Sequence, residues 1–413
     1  MIKTPKSTRR YDIFKYIICA NTLLVRAPYM TEDQKPNTKP GTHSQNDTLH
    51  HNNEGKSEEI FTLLDGAKSQ YPPIAPELDI QRSIASDKTR HLEERLEAFE
   101  DIIDSEIGDT NLTRARNIER EFGLRQIFLK FEGTTPTGTQ KDRIAFAQVH
   151  DAMRRGYDTI TVATCGNYGA AMSLAASLGG LQCTICIPEK YHTSRIKEIE
   201  ANNTTIIRVP GDYENAVSYS QQLAQDKEYY DANAGGDNTM IQFKAYGEIA
   251  NEIYDELRDA PAALSLPVSN GTTLAGVYKG FVSLYRRGKT SKIPRIIAGS
   301  SYGKNPIIQA YLKNLSTCED LPPEKIHETA VNEPLINWRS IDGDYALQAI
   351  RESGGWASYS SDKTMMQFSK MIREKEGLSV LPASTAGLIS LLDKHKKDGL
   401  TNDRYVVVLT GRK

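Results

Sequence analysis

The spacing of apolar positions changes twice along this chain. Residues 1–29 place five basic residues, Lys3, Lys6, Arg9, Arg10 and Lys15, ahead of the apolar stretch YIICANTLLV. That stretch is too short to cross a bilayer, and no small-residue cleavage site follows it. Two readings stay open: a targeting segment, or an upstream extension of a protein that starts at Met30. Residues 30–59 hold a single aliphatic side chain after Met30, that of Leu49. So little apolar surface cannot offset the entropy of ordering the chain, and disorder is expected there. At 91–103 the spacing becomes helical, with Leu92, Leu96, Phe99 and Ile103 separated by charges.

From about residue 104 short apolar runs alternate with amphipathic ones. QIFLKF (126–131), TITVAT (159–164), CTICIP (183–188), TIIRVP (205–210), AALSLPV (262–268), RIIAGSS (295–301) and RYVVVL (404–409) predict strands. Helices are predicted between them at 145–154, 170–179, 193–202, 213–228, 273–287 and 305–314. No repeat of fixed period is present. This alternation is that of an α/β protein with a mainly parallel sheet and right-handed crossovers. Ligands of such sheets gather at the carboxyl ends of the strands. The chemistry is therefore to be sought just after each strand.

Composition narrows the classes. The 413 residues are 38% hydrophobic and 25% charged, with a net charge of −2. That suits a soluble protein with a core and gives no bulk electrostatic case for a nucleic-acid or membrane partner. Five cysteines, at 19, 165, 183, 186 and 318, are too few and too scattered for a disulfide framework. A reducing, cytoplasmic compartment is expected. Cys183 and Cys186 form a CxxC, but inside a strand these positions point to opposite faces. No second pair completes a zinc site, and no metal is expected.

Four loops that follow strands carry candidate chemistry. FEGTTPTGTQKDR (131–143) brings Lys141 to the start of a helix, an electropositive place that favours a neutral, nucleophilic amine. Asp142 and Arg143 are expected to fix the helix start and to pair locally. TCGNYGAA (164–171) offers Thr164 and Asn167, with Gly166 and Gly169 allowing close backbone approach, as an anion or carboxylate cradle. PVSNGTTLAG (267–276) supplies Ser269, Asn270, Gly271, Thr272 and Thr273 before a helix, a composition suited to phosphate. It is neither GxxxxGK[ST] nor GxGxxG, so a P-loop NTPase or a Rossmann dehydrogenase is not supported. In VVVLTGRK (406–413), Thr410 ends the last strand. A lysine, a carboxylate cradle, a phosphate cradle and a lone hydroxyl together suit pyridoxal 5′-phosphate.

These motifs carry a resemblance. TTPTGTQKDR resembles the lysine motif of the fold-type II pyridoxal-phosphate enzymes, in which Pro-Thr-Gly-Ser precedes Phe-Lys-Asp-Arg. TCGNYGAAMSLAA is similar to their Ser-Gly-Asn-x-Gly substrate loop, and PVSNGTTLAGVYKGF to their phosphate loop. EGLSVLPASTAGL (376–388), the final VVVLTG and the stretch 107–133 resemble segments of the threonine synthases within that group. The resemblance covers about 104–413. Departures are Tyr168 where Thr is usual, Leu381 where Glu is common, Asn111 in place of Pro, and only three residues after Thr410.

The resemblance implies a tryptophan synthase beta-like fold: two three-layer α/β/α lobes with the cofactor between them. The smaller lobe would span roughly 142–235, the flanking segments would form the larger, and 1–80 would be an extension of the catalytic region 81–413. Lys141 would form a Schiff base with the cofactor and serve as the catalytic base. Asn167 would bind its 3′-oxygen, Ser269, Asn270, Gly271, Thr272 and Thr273 its phosphate, and Thr410 its ring nitrogen. Thr164, Cys165, Gly166 and Tyr168 would face an amino-acid substrate. The leading reaction is conversion of O-phosphohomoserine and water to threonine and phosphate. Arg143, Arg195, Lys197 and Lys304 are candidates for the substrate phosphate. Alternatives are another β-replacement or elimination on a serine-like amino acid (a sulfur- or sulfite-adding synthase or a dehydratase) and a non-catalytic binding protein. A homodimer is implied by kinship.

Overall fold

In the computed structural model two parallel-stranded sheets organise the chain. The structure describes residues 61–63, 67–69, 74–164, 166–191 and 195–413. The expectations for residues 1–60, including the targeting segment, the Met30 start and the disordered stretch, lie outside the described residues, as does Cys165. The described residues all fall in one unit, Glu58–Lys413.

A short antiparallel pair, β1 (Phe61–Leu63) and β2 (Ala67–Ser69), precedes the main body. The six-stranded sheet has the order β11-β10-β9-β12-β4-β3. Its strands are β3 (Leu112–Arg114), β4 (Ile127–Phe131), β9 (Ala263–Pro267), β10 (Arg295–Ser301), β11 (Trp356–Ser360) and β12 (Tyr405–Leu409). Every pairing is parallel except β3 against β4. The four-stranded sheet, all parallel, runs β7-β6-β5-β8, from β5 (Thr159–Ala163), β6 (Gln182–Pro188), β7 (Thr205–Val209) and β8 (Tyr230–Asp231).

The alternation of side chains along each strand decides what each face buries. In the larger sheet Leu264, Leu266, Ile296, Ala298, Val406 and Val408 pack on one face. They meet α8 (Thr239–Leu257), α9 (Thr272–Arg286), α10 (Pro306–Leu312) and α11 (Gly343–Glu352). Ala263, Ile297, Tyr405, Val407 and Leu409 pack on the other, against α3 (Arg116–Phe122), α12 (Asp362–Glu376) and α13 (Ala386–Asp398). Both faces are covered, which is why YVVVL in β12 is apolar throughout. The smaller sheet buries Ile160, Val162, Cys183 and Ile185 against α1 (Asp79–Ser86), α2 (Leu92–Glu106), α4 (Lys141–Arg154) and α5 (Asn167–Leu178). Its other face buries Ala163, Cys186 and Val209 under α7 (Tyr213–Lys227). Cys183 and Cys186 thus sit in different cores, and burial pushes the Cys183 thiol up to about 12. Packing takes in residues upstream of 81: Ile74 is 2% exposed in the first of these cores.

Two helices differ from the sequence pattern. The one expected at 193–202 is α6 (Ile196–Ala201). Helix α4 begins at Lys141, earlier than 145, because the Asp142 carboxylate ties its first turn to the preceding loop, accepting from Thr137 N (2.9 Å) and Oγ1 (2.7 Å).

A buried ion cluster joins β4, α4 and α8. The Arg143 guanidinium donates to Glu252 Oε2 (2.9 Å) and Glu132 Oε1 (3.0 Å). Lys130 Nζ donates to Glu252 and to the Thr110 carbonyl. Side chains of Lys130, Arg143 and Glu132 are at most 3% exposed. Two cations face two carboxylates, so the cluster is neutral, the condition under which burying it is tolerable. The expected local Asp142–Arg143 pairing is thereby corrected: Asp142 serves Thr137, and Arg143 reaches across to Glu132 and Glu252. Burial alone would raise the Glu252 carboxyl, but Arg143 and Lys130 hold it at about 2, below its ordinary 4.5.

Glu252→Gln should therefore cost about 3–5 kcal/mol in urea unfolding, because it strands buried positive charge. The depressed carboxyl contributes stability that is complete above about pH 4.5 and lost as pH falls toward about 2. Over that window the wild-type protein should lose more stability than Glu252→Gln.

Candidate active site

The lysine loop is built before the lysine arrives. After β4 a single turn, Glu132–Thr134, leads into residues 135–140. Thr135 Oγ1 donates to the Thr139 carbonyl (2.9 Å), and the Gly138 N–H closes on the Thr135 carbonyl (2.9 Å). The carboxyl-terminal residues strap this loop down. Gln140 N donates to Thr410 O and Arg412 N to Gly138 O, both at 2.9 Å. The Arg412 guanidinium adds bonds to the carbonyls of Gly133 and Pro136 at 3.2 Å each. Lys141 emerges as the first residue of α4, half-buried, with Nζ 5.3 Å from the centre of the Tyr168 ring.

The second loop follows β5. Gly166 N donates to Thr164 Oγ1 (3.3 Å), and Asn167 opens α5. The Asn167 side-chain oxygen accepts from Arg195 (2.9 Å). Tyr168 turns its hydroxyl inward: it donates to the Ala232 carbonyl (2.9 Å) and accepts from Gln148. Burial pushes that phenol well above its usual range. Tyr168 therefore offers its ring, not its hydroxyl, to the space before Lys141.

The third loop follows β9 and is braced from outside. Asn305 donates to Ser269 O (3.0 Å), Asn337 to Asn270 Oδ1 (2.8 Å) and Asp342 N to Asn270 O (3.0 Å). Gly271 has φ +96°, and a Cβ there would lie 2.8 Å from Asp342 O and 2.9 Å from Ala346 Cβ. A side chain would be strained by both the backbone and the space. Thr272 then opens α9, whose first N–H groups lack helical partners. Thr272 Oγ1 donates to Asp342 Oδ2 (2.6 Å), and Gln140 Nε2 to Thr273 Oγ1 (3.1 Å), which ties the lysine loop to this one.

The fourth element is Thr410, whose hydroxyl lies 3.0 Å from that of Ser384. Ser384 is held by the turn Pro382–Thr385 ahead of α13, which lies directly on the sheet backbone. A Cβ on Gly299 would come within 2.0 Å of Ala386 O, and one on Gly387 within 2.8 Å of the Leu266 backbone. Only glycine at both positions permits that approach.

Lys141, Thr164, Gly166, Asn167, Tyr168, Ser269, Asn270, Gly271, Thr272, Thr273 and Thr410 all line one cavity of about 290 Å³. Every residue of the expected site that lies among the described residues is in this set. Sequence reasoning missed Gln140, Ser384, Asp212, Glu214, Glu328, Glu333 and Trp338. The irregular connection between α10 and α11, with two short turns at Pro323–Lys325 and Glu333–Leu335, forms one wall. Of the four basic candidates, none lines the cavity. Arg143 is spent in the ion cluster. Arg195 is bonded to Glu198, Asn167 and Thr137, and Lys304 to the His327 carbonyl.

The lining fits a phosphorylated pyridine. Backbone N–H groups at the start of a 15-residue helix, a glycine where a Cβ has no room, and the hydroxyl of Thr273, whose own proton is unused, are a phosphate donor set. Burial raises the Asp342 carboxyl, which holds the Thr272 side chain beneath this loop. Gln140 Oε1 is buried without a hydrogen-bond partner, an acceptor waiting for a donor.

Tyr168→Phe should leave the ring over Lys141 and strip a buried bond from Gln148 and Ala232. We expect a loss of about 1–3 kcal/mol in thermal or urea unfolding.

Residues 103–411 match the model of the pyridoxal-phosphate dependent enzyme family. The chain is 30% identical over 311 residues to a threonine synthase of Methanocaldococcus jannaschii, covering 74% of each chain. It is 28% identical over 309 residues to a threonine synthase of a Bacillus species, covering 74% of this chain and 82% of that one. Among solved structures, maize serine racemase superposes with a TM-score of 0.63 at 18% identity, over 77% of this chain and 93% of its own. O-ureido-L-serine synthase gives 0.57 at 19% identity, over 74% and 90%. These two structures share the fold. With the lysine loop, the phosphate donor set and the sequence match in agreement, the chain belongs to the pyridoxal-phosphate dependent enzymes.

Proposed function

We propose that the protein eliminates or replaces a substituent on the side chain of an amino acid, with Lys141 as the lysine that carries the cofactor. One observation supports this most: Lys141 Nζ has no hydrogen-bond or ion-pair partner among the described residues and faces a cavity lined by the loops after β5, β9 and β12. Pyridoxal phosphate, when bound, supplies an electron sink that acidifies the hydrogen on the substrate's α-carbon. The chain's own groups do the rest. Lys141 Nζ takes and returns that proton. Residues 269–273 hold the phosphate through backbone N–H groups and hydroxyls. Asn167 orients the 3′-oxygen. The Thr410–Ser384 hydroxyl pair meets the ring nitrogen without a charge. Thr164, Cys165 and Gly166 bind the substrate carboxylate at the start of α5, and the Tyr168 ring closes the space beside the lysine. The smaller lobe, roughly 142–235, carries the carboxylate end; a cytoplasmic homodimer completes the reading.

Two reactions share this first half. The names of the relatives favour O-phosphohomoserine and water going to threonine and phosphate. The cavity favours a β-replacement or elimination on a serine-like amino acid, because Lys141 is the only cation among its described lining residues.

The purified protein should absorb at about 410–420 nm with cofactor bound, and Lys141→Ala should not. No band in the wild type after added pyridoxal phosphate would refute the assignment. Phosphate release from O-phosphohomoserine at an enzymatic rate would select the first reaction.

A further inference from the structure

Two loops of the site meet at one guanidinium outside the cavity lining. Arg195 immediately precedes α6, and its side chain is 16% exposed. Its Nε and Nη2 donate to the carboxylate of Glu198, in the first turn of that helix. This ion pair offsets the guanidinium charge, and the other donors reach the site. Nη2 donates to the Thr137 carbonyl of the lysine loop (2.9 Å), and Nη1 to Asn167 Oδ1 of the second loop (2.9 Å).

The bond to Asn167 decides which end of that amide does what. A guanidinium donates and never accepts. Asn167 therefore presents its oxygen to Arg195, and its NH2 group is what remains for the cavity that the residue lines. Asn167 Nδ2 makes no hydrogen bond among the described residues. Without Arg195 the amide could turn either end toward a ligand. With it, a half-turn would set N–H against N–H and lose a bond from a charged donor. Such a bond also polarises the amide and makes its own N–H groups better donors.

The consequence falls on an oxygen that can ionise. The 3′-oxygen of a bound pyridoxal group accepts hydrogen bonds when ionised and donates one when neutral. An NH2 group aimed at it favours the ionised form, and an amide oxygen would favour the neutral one.

We propose that Arg195 is a positioning residue that fixes the Asn167 amide with its NH2 group toward the cofactor's 3′-oxygen, and so holds that oxygen ionised. The proposal rests on the roles of Lys141 and Asn167 given above. It goes beyond them by assigning the orientation of Asn167 to a residue that does not line the cavity.

Visible absorption of the full-length holoenzyme reads the state of that oxygen without turnover. The ionised form absorbs at about 410–420 nm and the neutral form at about 330–340 nm. Arg195→Met should lower the ratio of the first band to the second by about 10-fold, the weight of a hydrogen bond to a charged group. Arg195→Lys, still an obligate donor, should stay closer to the wild type. Asn167→Ala should also lower the ratio, and Arg195→Met added to it should lower it no further, because the arginine acts through the asparagine. If Arg195→Met does not fold, Arg195→Gln takes its place in both backgrounds. A ratio that moves in Asn167→Ala but not in the arginine variants would overturn the proposal and leave Lys141 and Asn167 in their roles. Shifts that add in the double variant would overturn the route through Asn167. A wild type dominated by the short-wavelength band would overturn the proposal alone. An unmoved ratio in Asn167→Ala would remove that residue's role and the proposal with it, and absence of both bands would overturn the lysine assignment as well.

Discussion

The position of Lys141 depends on a charge cluster that lies two residues away. Arg143 is anchored to Glu132 at the end of β4 and to Glu252 in α8, with Lys130 and Thr110 completing the set. The same turn packs Ile144 into the core shared by α8 and the larger sheet, so the ionic tie and the apolar one act together. Ion pairs of this kind add little net stability over an apolar core, but they are intolerant of partial loss. A helix start fixed by two directional carboxylates has one register on its strand. The lysine inherits that register, and so does the distance from its amine to the Tyr168 ring.

The same logic extends to the carboxyl terminus. Thr410 and Arg412 bond to the backbone of Gln140 and Gly138, so the last residues of the chain hold the loop that delivers Lys141. Thr410 thus has two duties from one position. Its carbonyl secures the lysine loop, and its hydroxyl, shared with Ser384, faces the cavity. Folding of the cavity is therefore coupled to completion of the chain's final strand, the element that sits between β9 and β4 in the larger sheet.

Much of this was legible in the sequence, for local reasons. Strands such as TITVA and YVVVL are buried on both faces, so their runs are unbroken and easily read. Residues that follow a parallel strand emerge at one edge of the sheet, so Lys141, Asn167, Thr272 and Thr410 converge without any need to know their contacts. The cavity's carboxyl residues were illegible because Glu328 and Glu333 sit in a connection without periodicity, and Glu214 looks like an ordinary charge in the first turn of a helix. Arg143 was misassigned because its partner Glu252 lies 109 residues away. A neighbouring aspartate is the obvious choice only in one dimension. The inward hydroxyl of Tyr168 was hidden for the same reason, since Gln148 and Ala232 come from other elements. Helix α8 and strand β11 also escaped the pattern, the first because its buried face mixes Gln242, Tyr246 and Gly247 with aliphatics, the second because WASYS alternates in size more than in polarity.

The connection between α10 and α11 contributes Glu328, Glu333 and Trp338 to the cavity but no strand to either sheet. Its consequence is a division of labour within the cavity. The machinery for the cofactor is written into strand ends and helix starts, where a change of residue disturbs the core. One wall of the cavity is written into irregular backbone whose exposed positions, such as Glu328, can vary while Leu335 stays in the core and Asn337 stays tied to the third loop. Substitutions at those exposed positions can reshape one side of the cavity while Lys141 and the loops beside it keep their places.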